Sequence, residues 1–330
     1  PASFTGGDDP LLKQQRGRYP GRLAIGATAA AAHEGAVDDA NARATAADDE
    51  THHSDGTHDS DDPRSETTRD ADEAAAAEVL DELEREVSIM ARLRHPNIVL
   101  LLGAVRSPPA IVEEYCARGS LYSVLQRHCK PGVPPLEWRV RLQMSLGAAA
   151  GMCYLHACSP PIIHRDLKSP NLMVDRYFRV KVGDFNLSRV AVASATTGAL
   201  PGGRVAAAAQ HSQGGLHSPR WMAPEVLRAA SYSTASDVYS FAVVLWELRT
   251  MKLPWESLGQ WQLMHAVVDD ASRPPLDATP KPTFGELASY DALIEDAWAQ
   301  EPGARPSFDA VLTRLQGVID AHAEALGSVR

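Results

Sequence analysis

The sequence predicts an α+β chain of two unequal lobes, a small, partly β N-terminal part and a larger helical C-terminal part. Three observations carry this. Two apolar runs of strand length, Ile98 to Val105 and Ala110 to Tyr115, follow a single amphipathic helix pattern. From Gly119 onward apolar residues recur mainly at helical spacing. Hydrophobic residues make up 44% of the 330, enough for a substantial core.

The first 73 residues fit neither lobe pattern well. Between Glu34 and Glu73 there are 14 acidic residues and 3 arginines, a local balance of −11, so the rest of the chain, whose total is −10, sums to about +1. The stretch is otherwise Ala, His, Ser and Thr, too poor in large apolar side chains to offset the entropy of ordering. Residues 31–73 are therefore expected to be an acidic disordered insertion, with 1–30 as a separate short segment before it. His52, His53, Asp55, His58 and Asp59 lie in that run and read as solvated polar residues rather than metal ligands.

Residues 74–94 read as a helix, because Val79, Leu80, Leu83, Val87, Met90 and Leu93 recur at three- and four-residue steps. His95-Pro96-Asn97 ends it, since the residue before proline is pushed out of the helical region. The two strand-length runs come next. Helical patterns then cover about 119–129, 136–157, 224–229, 236–251, 258–269, 287–299 and 307–325. A second biased stretch, 191–215, is rich in Ala, Gly and Ser and reads as a loop. A cleft between two such lobes is a common ligand site.

Composition removes several classes of function. Net negative charge and a pI near 5.6 argue against a general nucleic-acid binder. No apolar run approaches the roughly 20 residues of a membrane span. Four cysteines, Cys116, Cys129, Cys153 and Cys158, include no C-x-x-C pair, so a disulfide framework or zinc ribbon is not expected. A reducing, intracellular and cytoplasmic setting fits this usage. The chain opens on Pro1 without a signal-peptide pattern and reads as a piece of something longer.

The residues that carry chemistry sit where the lobes join. His164-Arg165-Asp166-Leu167-Lys168-Ser169-Pro170-Asn171 is followed thirteen residues later by Asp184-Phe185-Asn186, and then by Ala223-Pro224-Glu225. In that order and spacing they resemble the protein kinase signature H-R-D-x-x-x-x-N, D-F-G and A-P-E. HRDLKSPN, RWMAPEVL, HPNIVLLLGAV and RGSLYSVL together resemble the tyrosine-kinase-like group of serine/threonine kinases, of Raf-like and mixed-lineage type. The resemblance covers about 74–325.

It implies a bilobal protein kinase fold, with 1–30 holding partial N-lobe strands, 74–116 the rest of the N-lobe and the hinge, and 117–325 the C-lobe. The activation segment would run from 184 to 225. It further implies ATP and Mg2+ as cofactors, protein substrates, and an upstream kinase acting on the activation segment. Asp166 would accept the substrate hydroxyl proton, Lys168 would lie beside the transferring phosphate, and Asn171 and Asp184 would hold magnesium. Glu86 matches the glutamate that pairs with an ATP-contacting lysine. Glu114 and Cys116 would meet the adenine through backbone groups, with Ala24 above the ring and Met173 below. Met90, Leu101, His164 and Phe185 would stack as an apolar spine. Asp237 would tie down the catalytic loop, and Glu225 would pair with Arg305. Ser194, Thr196, Thr197 and Ser212 are candidate phosphosites with Arg165 as their basic partner, and Ser218 matches a hydroxyl that contacts the catalytic loop.

Four departures stand beside this. No G-x-G-x-x-G occurs. The stretch Arg16 to Gly26 resembles the strand of V-A-I-K, with Gly26 in place of lysine, and Lys13 is the sole lysine before Lys130. Glu113 occupies the position behind the adenine pocket that usually holds Thr or an apolar residue, where it could face an unpaired Glu86. Asn186 replaces the glycine after Asp-Phe, a mild change if that position is left-handed. Loss of one preorganised charge costs about 10²–10³ in rate. The first reading is thus a protein serine/threonine kinase, and the alternative a pseudokinase scaffold.

Overall fold

The computed structural model describes residues 79–190 apart from Glu82, 219–276 and 286–327. The strands expected in 1–30, the insertion expected in 31–73, and the loop at 191–215 lie outside the described residues, as do Lys13 and Ala24.

The described part of the small lobe is one helix and one hairpin. Helix α1 spans 79–90, and its inner face buries Glu86, Ile89 and Met90. It is shorter at its C-terminus than the periodicity predicted, because the chain turns at 91–92 ahead of His95-Pro96. Strands β1 (Leu101–Arg106) and β2 (Pro109–Glu113) pair antiparallel, with Ala104 opposite Ile111 and Leu101 opposite Glu113.

The large lobe is helical around two pairs of short strands. Helix α2 (Leu121–His128) starts at Ser120, whose hydroxyl accepts the Ser123 amide. Helix α3 (Trp138–Ala157) is followed by β3 (Ile162–Ile163), β4 (Leu172–Val174), β5 (Val180–Val182) and β6 (Arg189–Val190). β4 pairs with β5 and β3 with β6, all antiparallel. The remaining helices are α4 (Pro224–Leu227), α5 (Thr234–Thr250), α6 (Gln260–Val268), α7 (Glu286–Ala297) and α8 (Phe308–Gly327). α3 packs on α8 and β5, while α5 packs on α3 and α7. α5 is buried on nearly every side, which its continuous apolar run Phe241 to Trp246 requires. Ser233 and Ser236 cap its start reciprocally, and Met251 in the left-handed region ends it.

The Asn97 turn joins the lobes. Asn97 Nδ2 donates to the Val180 carbonyl at 2.8 Å, and the Val182 amide donates to the Asn97 carbonyl at 2.8 Å. The turn presses on α3 at Gly151, where a Cβ would come within 2.5 Å of the Asn97 carbonyl oxygen. Only glycine permits so close an approach.

Candidate active site

Helix α5 builds the floor of the site. Buried Asp237 accepts the His164 and Arg165 amides, each at 2.9 Å, and contacts His156 Nε2 at 2.9 Å. One carboxylate thus fixes the backbone where the catalytic loop begins, with Arg165 held at φ 71. The Arg165 guanidinium lies over the Tyr232 ring at 4.5 Å. Buried His164 contacts the Gly183 carbonyl through Nε2 at 3.0 Å, which joins the loop to the strand end before Asp184.

Three expected residues meet on this loop. Lys168 Nζ donates to Asp166 Oδ2 at 2.7 Å, and Asn171 Nδ2 donates to the same oxygen at 2.9 Å and to the Asp166 carbonyl at 2.9 Å. A single 3₁₀ turn, Ser169–Asn171, folds Asn171 back onto Asp166. Asp184 is exposed and in the left-handed region at φ 60, conformations that aspartate reaches more readily than most residues. Asn186 is absent from the left-handed set, so the strained position is Asp184 itself. The substitution at Asn186 therefore needs no left-handed tolerance, contrary to the reading from sequence.

Phe185 is fully buried with its ring 5.5 Å from that of His164. Met90 is buried in the same core, and half-buried Leu101 packs against it. Glu86, 8% exposed, accepts the Phe185 amide on Oε1 at 3.1 Å. The charges that bear on Glu113 are Asp184 and Glu114, and burial first, then those two carboxylates, push its pKa upward.

The hinge follows β2. The Glu114 carboxylate accepts Lys181 Nζ at 2.8 Å and the Leu100 amide at 2.8 Å, so it braces the hinge against β5 and against the residue just ahead of β1. Among the described residues its carbonyl and the Cys116 amide have no hydrogen-bond partner. Burial and the Glu114 charge push the Cys116 thiol up to about 11, so it stays protonated at neutral pH. Met173 on β4 is half-buried beside Gly183 and Val99. Ala24 lies outside the described residues, as do the candidate phosphosites Ser194, Thr196, Thr197 and Ser212, and Ser218, expected to contact the catalytic loop.

The end of the activation segment is anchored below. Arg305 forms a two-pronged pair with Glu225, at 2.7 and 2.8 Å, and its fully buried side chain also donates to the Ala235, Ala299 and Gln300 carbonyls. Two contacts had no sequence reading: Lys181 with Glu114, and Glu247 with Ser169 and Trp221. For Glu247 a signal existed, since it is the one acid within the apolar run Phe241 to Leu248.

The donor set suits magnesium and a nucleotide. With its amide nitrogen on Asp166, Asn171 has its carbonyl oxygen as the hard donor, and Asp184 adds an exposed carboxylate. No cluster of three or more metal-binding side chains exists among the described residues. Magnesium is held by few protein oxygens and completes its shell with water and phosphate, so two fit.

Comparison with known proteins agrees with this geometry. The family described as protein tyrosine and serine/threonine kinase matches residues 67–315. Serine/threonine-protein kinase CTR1 of Arabidopsis thaliana is 44% identical over 245 residues, 74% of this chain and 27% of the relative. Probable serine/threonine-protein kinase SIS8 of the same plant is 42% identical over 247 residues, 74% and 22%. Probable serine/threonine-protein kinase drkA of Dictyostelium discoideum is 37% identical over 242 residues, 73% and 34%. The chain thus spans between 22% and 34% of the length of these relatives. The chain belongs to the protein tyrosine and serine/threonine kinase family.

Proposed function

We propose that this chain transfers the γ-phosphate of ATP to serine and threonine hydroxyls of protein substrates, with Mg2+. The observation that carries this is the convergence of Lys168 and Asn171 on one oxygen of Asp166, at 2.7 and 2.9 Å. Asp166 orients the substrate hydroxyl and accepts its proton as the oxygen attacks. Lys168 steadies the charge on the transferring group as a point charge. Asn171 and Asp184 hold magnesium, which when bound neutralises charge across the phosphates. The Glu114 carbonyl and Cys116 amide receive the adenine edge, with Met173 beneath the ring. Glu86 steadies the Phe185 turn that carries Asp184.

The named relatives support serine and threonine acceptors and give no support to the pseudokinase alternative. No helix among the described residues is long and apolar enough to cross a membrane. The four free cysteines fit the reducing, cytoplasmic setting we propose. Arg165 is the natural partner for a phosphate added to the activation segment by an upstream kinase.

The acceptor class is tested with three peptide pools that differ only in holding Ser, Thr or Tyr as the sole hydroxyl. Labelling of the Ser and Thr pools is expected. Labelling confined to the Tyr pool overturns the proposal.

A further inference from the structure

Glu247 takes no part in the chemistry above, yet it touches two of its segments. It lies on α5 and is 1% exposed. A buried carboxyl is costly unless hydrogen-bonded, and Glu247 is bonded through both oxygens. Oε1 accepts the Ser169 hydroxyl at 2.7 Å, and Oε2 accepts the Trp221 indole N–H at 2.8 Å. Ser169 stands inside the catalytic loop, between Lys168 and Asn171. Trp221 stands near the end of the activation segment, two residues before Ala223. The same helix grips Trp221 again, through the Ser240 hydroxyl on its carbonyl at 2.7 Å.

We infer that Glu247 is a positioning residue for phosphoryl transfer, a single carboxyl that holds the catalytic loop and the end of the activation segment in one register. The inference rests on the reading that Asp166, Lys168 and Asn171 perform the transfer. Ser169 is buried in the turn between Lys168, directly before it, and Asn171, two residues after it, the two groups that bond Asp166. A shift of Ser169 therefore moves Lys168 and Asn171 together. Among the described residues the Trp221 indole N–H donates to Glu247, so a shift there is passed to Ser169 through that carboxyl. A purely structural acid would stabilise the core without linking these two segments.

Substitutions in the full chain separate the two cases. Glu247→Gln keeps both contacts, since its carbonyl accepts the indole N–H and its amide donates to the Ser169 hydroxyl. Ser169→Ala and Trp221→Phe each remove one link; the second also gives up part of the buried indole's packing, so its stability is measured alongside. Rates are read at a temperature where every variant is folded by circular dichroism. The brace predicts wild-type-like kcat for Glu247→Gln and about a tenfold loss for each single-link variant, within the range that small misplacements cause. KM for ATP stays within about twofold, and the double variant is no worse than the poorer single, as expected for residues acting as one unit. Unchanged kcat with lowered Tm, or losses that multiply in the double variant, overturns it.

Hydrogen exchange reads the same link without activity. Trp221→Phe is expected to speed amide exchange at 166–171, across the Glu247 bridge, and unchanged exchange there overturns the inference. If the wild-type chain labels no substrate, the reading of the reaction fails, and the exchange result still decides the bridge.

Discussion

The Glu86 carboxylate accepts the Phe185 amide at 3.1 Å, so α1 is bonded directly to the turn that presents Asp184. This ties the one described helix of the small lobe to the Asp184 side of the site. It also gives Glu86 a role among the described residues that does not depend on a lysine partner.

Glu86→Ala leaves the Phe185 N–H without this buried acceptor, a loss of about 1–3 kcal/mol. A lower Tm is expected together with lower kcat, because the Asp184 turn loosens. Glu86→Gln retains a carbonyl acceptor and is expected to recover most of both. Differential scanning fluorimetry with a steady-state assay checks this, and a Glu86→Ala protein of unchanged Tm refutes it.

Arg305→Leu removes one partner of a buried pair and strands Glu225. About 3–5 kcal/mol of stability should go. The pair is remote from Asp166 in its contacts, so activity per folded molecule is expected to hold. Urea unfolding and active-site titration measure the two separately.

Gly151→Ala forces a Cβ toward the Asn97 carbonyl and Val182, at 2.5 and 2.8 Å. Backbone on one side and a packed strand on the other leave no room to yield. Overpacking of this kind costs about 1–3 kcal/mol. A fall in Tm of about 2–4 °C for each kcal/mol follows for a domain of this size. A Tm equal to wild type would show that the turn is not pressed on α3.

Glu247 also gives stability a dependence on pH. Burial pushes its pKa from the ordinary 4.5 up to about 8, against the pull of the Trp221 and Ser169 hydrogen bonds. The protonated form is favoured in the fold, so its contribution is fully present below pH 4.5 and is lost as pH rises through about 8. Glu247→Gln cannot ionise. Wild type is therefore expected to lose stability relative to Glu247→Gln between pH 5.5 and 8.5, as read by urea midpoints at both values. An equal pH response in the two proteins contradicts this.

The loop residues were legible because their chemistry is contiguous. Asp166, Lys168 and Asn171 lie within six residues, and one 3₁₀ turn brings them together. The helices were legible from their apolar repeats, to within a few residues at their ends. Glu247 was not, because its partners lie 78 and 26 residues away and nothing local marks them. The Lys181–Glu114 pair spans 67 residues, with the same consequence. Asn186 was misjudged for a different reason: residue type suggested a left-handed turn, whereas the backbone places it at Asp184.

The most direct test is phosphate transfer from labelled Mg·ATP to the chain itself and to a generic basic protein, with Asp184→Asn prepared identically. Asp184, the proposed magnesium ligand, is exposed and bears little of the core, so the variant should fold. The account predicts incorporation by wild type that vanishes in Asp184→Asn. Equal incorporation in the two proteins, at background, would contradict phosphoryl transfer by this chain.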